Sequence, residues 1–250
     1  MAIKIDVKAS HLHALQTLEA LNRYQDFMDN MQQVSDMGCG LGFDAAWWAN
    51  LTKQDGTPRS IKVNAVDLHI DPKFVKQHPN VKYMTSDYSQ TSIVHNSQDL
   101  IWAHNSFQYA TNPFITLSHW WDLLKVDGML LITVPYTFDI HTHREIQNVD
   151  VCHEPNTYYN WSLGSLILSL VANGFDCRQS HFRLDKQNGW LQAAVYKLAV
   201  RPPSNITYYD MVDQKMLPLS IESAIMKNGH FNETDIVCDW IDRSQYILAL

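Results

Sequence analysis

The stretch VSDMGCGLGFDAAWWAN, residues 34–50, sets three glycines between an apolar run and a helical pattern. A chain needs glycine at such a junction where φ must be positive, or where a Cβ would collide with something close. Strands that break at glycines and turn into a helix are the phosphate- and nucleotide-approaching corners of open α/β sheets. Gly38, Gly40 and Gly42 therefore predict a tight strand-to-helix turn with a ligand near its backbone. Their spacing excludes two common solutions. The dinucleotide fingerprint G-x-G-x-x-G needs its third glycine where Phe43 stands, which argues against a nicotinamide-dependent oxidoreductase. The phosphate loop needs a Lys-Ser or Lys-Thr pair after the glycines, and none follows.

The rest of the chain supplies the sheet for that corner. Leu12, Leu15, Leu18, Leu21 and Tyr24 recur at helical spacing, predicting an amphipathic N-terminal helix over 11–31. Strands are predicted at QQVSDMG, at 61–69, at 81–87, at 98–105 and at 128–135. Helices are predicted at FDAAWWANLTK, from Pro113 to Leu124, and over 161–175, stopping near Gly174. Two final strands, FDCRQSHFRL and WLQAAVYKLAV, flank an Asn188-Gly189 turn, so the last should run antiparallel. The expectation is an α/β fold: a seven-stranded, mainly parallel sheet with helices on both faces and a C-terminal antiparallel hairpin strand. Arg201-Pro202-Pro203 ends this pattern, so residues 1–200 read as one domain and 201–250 as a short extension packed on it.

Composition narrows the partners. The 250 residues carry 19 basic and 26 acidic side chains, a formal charge of −7, which disfavours broad nucleic-acid binding. Cys39, Cys152, Cys177 and Cys238 form no C-x-x-C pair, so reduced thiols and a cytoplasmic location are expected. MAIKIDVKASHLH has no apolar core followed by a small-residue cleavage site, and no apolar run reaches the roughly 18 residues of a membrane span.

DMGCGLG after a strand and before a helix resembles motif I of the class I S-adenosylmethionine-dependent methyltransferases, and the resemblance holds register from residue 34 to 199. DLIWAHNSFQYATNP resembles the family's motif IV region, and LLKVDGMLLITVP its helix, turn and fifth strand. LVANGFD is similar to the helix end before the sixth strand. The resemblance implies that S-adenosylmethionine is the cofactor, with Asp36, Gly38, Gly40 and Gly42 around its methionine and ribose end. Asp67, ending the second strand, would take the ribose diol, since a carboxylate can accept from two vicinal hydroxyls. Asp87 and Tyr88 would border the adenine, and Asn105 would lie near the sulfonium.

Methyl transfer from a sulfonium is an in-line displacement that depends on positioning, with a general base needed for a hydroxyl acceptor but less so for a neutral amine. The Asn/Asp-Pro-Pro-Tyr and Pro-Cys sequences of nucleobase methylation are absent from this region, which points to the small-molecule branch and a small or sugar-like acceptor. Residues 136–161, after the fifth strand, are the expected acceptor loop, and His141, His143 and His104 are the base candidates. His141, His143 and His153 match no closed zinc spacing, so no metal is expected. The competing expectation is a non-catalytic protein that keeps the cofactor pocket for regulation or assembly.

Overall fold

A computed structural model describes residues 25–53, 55–73, 75, 77–136, 158–185, 190–203 and 205–230. Its strands are β1 (Gln33–Met37), β2 (Lys62–Asp67), β3 (Val81–Thr85), β4 (Gln98–His104), β5 (Leu124–Pro135), β6 (Phe175–Asp185) and β7 (Trp190–Lys197). They form one seven-stranded sheet in the order β3-β2-β1-β4-β5-β7-β6. The first five are mutually parallel, and β7 runs antiparallel to both neighbours. The strand order reverses between β1 and β4. In an open sheet of this kind, ligands bind in the crevice beyond the strand ends at that reversal.

The central strands are apolar on both sides because helices cover both faces. Alternation along each strand sorts the core into two halves. One face carries Met37, Val66, Ile101, Ala103, Leu130, Ile132, Ala193 and Phe182. The helices α3 (Pro113–Leu123) and α4 (Leu163–Ala172) pack there through Leu117, Trp120, Leu166, Ile167 and Leu170. The other face carries Val34, Val63, Ala65, Leu100, Trp102, Leu131 and Ala194, and meets α1 (Gln25–Asn30) and α2 (Phe43–Ala49). Of the helix expected over 11–31, only α1 falls within the described residues; the Asn188-Gly189 turn falls outside them.

Local chemistry sets the helix ends. Asn112 accepts from the Ile115 amide ahead of Pro113, so α3 begins with a side-chain cap and a proline at its first position. Ser162 and Ser165 form a reciprocal capping box at α4, which stops at Ala172 before Gly174 (φ +90°). The expected break at Val126-Asp127-Gly128 is not a turn before the fifth strand. It is a bulge inside β5: Gln98 pairs with Leu124 and Leu100 with Met129, so five residues of β5 pass while β4 advances two.

Beyond Arg201 the chain folds back onto the α3–α4 side. Thr207 and Asp210 form a capping box that starts α5 (Tyr208–Asp213), an element the sequence reading had not separated from its surroundings. α6 (Leu219–Asn228) ends at Gly229, whose φ is +74°. Met211, Leu217, Ile221 and Ile225 are buried in the same apolar cluster as α3 and α4, and Glu222 pairs with Arg178 of β6.

Candidate active site

The three glycines of the β1–α2 turn all have positive φ, at +81°, +51° and +75°. They do not serve the same purpose. A Cβ on Gly38 would lie 2.3 Å from the Ser106 Cβ, and one on Gly42 would lie 2.2 Å from the Tyr83 hydroxyl. Those two are glycines because the protein's own side chains crowd them. At Gly40 nothing lies within 4 Å of a built Cβ, and the residue is exposed, so this is where the turn leaves space beside its backbone.

Asp67 reaches that space from the end of β2. One of its oxygens accepts from the Gly40 amide at 2.9 Å and the other from the His69 amide at 3.1 Å. The carboxylate thus fixes the loop, and its remaining lone pairs are still able to accept further bonds. Asp36, next to last in β1, is 2 % exposed. Burial, reinforced by the nearby Asp44 and Asp67 carboxylates, raises its pKa well above the usual range, and an Ala45 amide offsets this in part. Its Oδ2 has no hydrogen-bond partner. Burial also pushes the Tyr83 hydroxyl up to about 12. The Cys39 thiol is likewise held well above its ordinary range, so it is no nucleophile.

On the β4 side, Asn105 sits at φ +52° directly after the strand. Asparagine tolerates this conformation better than most residues. Its amide donates to the Thr133 carbonyl and its side-chain oxygen accepts from Gln108. Ser106, absent from the expected site, donates through its hydroxyl to the Met37 carbonyl and so laces the end of β4 to the end of β1. Only contact across 69 residues reveals that role.

The remaining expected residues are placed as follows. Asp87 is exposed and caps its own turn, accepting from the Ser89 amide and hydroxyl. Tyr88, expected at the adenine, is buried against Trp120 at 5.7 Å, and its hydroxyl donates to the Ser106 carbonyl at 3.0 Å. Packing explains it, because a tyrosine buried in an apolar layer needs one acceptor for its hydroxyl and finds it there. His104 lies at the end of β4 with Nδ1 3.4 Å from Asp44 Oδ2. His141 and His143, and most of the 136–161 stretch, lie outside the described residues.

The three carboxylates Asp36, Asp44 and Asp67, the open backbone at Gly40 and the β1/β4 reversal suit a ribosyl ligand that carries positive charge. The sulfonium and ammonium of S-adenosylmethionine meet that description: cationic groups relieve the repulsion that Asp36 feels, and a diol can use the acceptor capacity of Asp67.

Comparison with known proteins points the same way. Residues 35–132 match the family described as Methyltransferase domain. Trans-aconitate 2-methyltransferase of Enterobacter sp. (strain 638) is 27% identical over 122 residues, a match covering 46% of this chain and 44% of that protein. The chain thus aligns with less than half the length of that curated relative. Among solved structures, 1,6-didemethyltoxoflavin-N1-methyltransferase of Burkholderia thailandensis, with S-adenosylhomocysteine bound, superposes with a TM-score of 0.51 at 16% identity. The superposition covers 78% of this chain and 93% of that one. The cyclase SpnF superposes with a TM-score of 0.55 at 16% identity, covering 79% and 86%. These structural likenesses speak for the fold. Residues 35–132 are thus similar to a methyltransferase domain, and the sheet described above has the fold of the class I S-adenosylmethionine-dependent methyltransferases.

Proposed function

We propose that the chain transfers a methyl group from S-adenosylmethionine to a small-molecule or sugar-like acceptor. The observation that carries this reading is the crevice at the β1/β4 reversal, where Gly40 leaves open backbone beside Asp67 and the partnerless oxygen of Asp36. In this reading Gly38, Gly40 and Gly42 shape the turn and Asp67 holds the ribose. Asp36 and Asn105 face the methionine end, and Asp87 lies at the adenine side. When bound, S-adenosylmethionine supplies an electrophilic methyl on a sulfonium; the protein supplies alignment and exclusion of water.

The curated relative is named for trans-aconitate and the Burkholderia thailandensis enzyme for 1,6-didemethyltoxoflavin, and the acidic balance of the chain agrees with a small acceptor. No described helix is long and apolar enough to cross a membrane. Titration calorimetry with S-adenosylhomocysteine tests the cofactor. Binding is expected, and Asp67→Ala should weaken it by about 1–3 kcal/mol through lost hydrogen bonds. Unchanged affinity removes Asp67 from the ribose. The 136–161 stretch, with His141 and His143, is proposed to cover the acceptor. Shortening 141–154 should keep cofactor affinity and abolish turnover, whereas surviving turnover would place the acceptor elsewhere. Cofactor binding without labelling of any compound in a metabolite extract would favour the non-catalytic alternative.

A further inference from the structure

The sheet carries a polar row next to the cofactor loop that the reading above does not use. His104 on β4 pairs with Thr133 on β5, and Thr133 pairs with Gln192 on β7. The residues preceding His104 and Thr133 and following Gln192 (Ala103, Ile132 and Ala193) all lie in the α3–α4 core. Alternation therefore sends His104, Thr133 and Gln192 together to the α2 face. Adjacent strands are about 4.8 Å apart, so neighbouring members of the row can touch one ligand. One rung back, the same face is Trp102, Leu131 and Ala194, an ordinary apolar layer. Thr133 is fully buried, yet its hydroxyl has no partner, and neither does the buried Nε2 of His104. Buried polar atoms left unpaired are costly, so two of them side by side mark a place where a ligand completes the bonding.

The imidazole is held in a definite orientation. It stacks on Trp102 at 5.7 Å and on Trp190 at 6.4 Å. Asp44 Oδ2 accepts from Trp102 Nε1 at 3.0 Å, which anchors the carboxylate, and the same oxygen stands 3.4 Å from His104 Nδ1. A carboxylate on that side keeps the proton on Nδ1 and leaves a lone pair on the unpartnered Nε2. The location is also right. Asp36 pairs with Trp102, so the next positions on this face are Gly38 and His104, at the strand reversal.

We propose that His104 is the general base, oriented by Asp44, for an acceptor that presents a hydroxyl to His104 Nε2 and Thr133 Oγ1. This rests on the methyl-transfer reading above and narrows it to O-methylation, since a neutral amine does not require such a base. In the step, the acceptor O–H proton passes to Nε2 as the oxygen–carbon bond forms. The carbon–sulfur bond breaks with its electron pair going to sulfur, leaving neutral S-adenosylhomocysteine, and the imidazolium later returns one proton to solvent. Asp44 is a positioning residue: it touches the imidazole and not the acceptor.

Two measurements test this. Nitrogen-15 spectra of histidine-labelled protein, assigned with His104→Gln and needing no cofactor, should show Nε2 of His104 as the bare nitrogen. Asp44→Asn should abolish that preference. A proton resident on Nε2 in the unmutated protein overturns the proposal. Separately, the protein is incubated with S-adenosylmethionine carrying a carbon-13 methyl and a metabolite extract. The product methyl should resonate in the methoxy range, and the rate should fall by ~10²–10⁴-fold in His104→Gln. Asp44→Asn should lower kcat. A methyl found on nitrogen, sulfur or carbon, or an unchanged rate in His104→Gln, overturns the base while sparing methyl transfer. Donor binding with no labelled product overturns both.

Discussion

Asp36 sits where its own charge is unwelcome. Burial and the carboxylates of Asp44 and Asp67 raise its pKa, so the folded state holds this proton at pH values where the unfolded chain has already lost it. Stability then falls as pH rises from the ordinary aspartate range to the raised value, and the loss is complete above it. Asp36→Asn should therefore raise the melting temperature at neutral pH, with the gain shrinking as pH drops toward the ordinary range. Melting curves across pH for both proteins check this. Asp36, Asp67 and Asn105 are expected from the sequence because each lies at or beside the strand end where ligands gather. Asp44 and Ser106 are not. Their significance depends on α2 and β4 meeting across 58 residues, and on β1 and β4 meeting across 69. Tyr88 shows the limit of sequence in another way: an aromatic after a strand looks the same whether it borders a crevice or packs in a core, and here it packs against Trp120.

At the scale of elements, the glycine turn separates two roles that one motif conceals. Gly38→Ala meets both a left-handed backbone and the Ser106 side chain. It should cost about 2–5 kcal/mol, combining strain of ~1–2 with overpacking of ~1–3. Gly40→Ala meets only the backbone strain, about 1–2 kcal/mol, but its methyl enters the open space and should weaken S-adenosylhomocysteine binding. Urea melts and calorimetry on the two variants separate stability from affinity. The central strands were visible in sequence as apolar runs, because buried parallel strands have little choice of composition. The bulge that replaces the Val126-Asp127-Gly128 turn was not, since its residues suit either arrangement and only pairing with β4 decides. α5 was too short, at six residues, to show a period.

Over the whole molecule, the chain beyond Arg201 shares its apolar layer with α3 and α4. Leu217 and Ile221 are fully buried in that layer, and the Arg178–Glu222 pair ties α6 to the edge strand β6. Ile221→Ala should destabilise the protein by about 2–5 kcal/mol. Unfolding should remain a single transition by circular dichroism and by fluorescence. Separate transitions would show that the tail melts alone.

The indoles stacked along the α2 face also give the protein an optical gauge. Trp102 and Trp190 lie nearly parallel to the His104 ring, within 6.4 Å of it, and Trp102 is bonded to Asp44. Indole emission responds to what packs against the ring, so a ligand entering beside His104 should change it. His104→Gln should alter that change, letting a simple fluorimeter follow occupancy beside the imidazole.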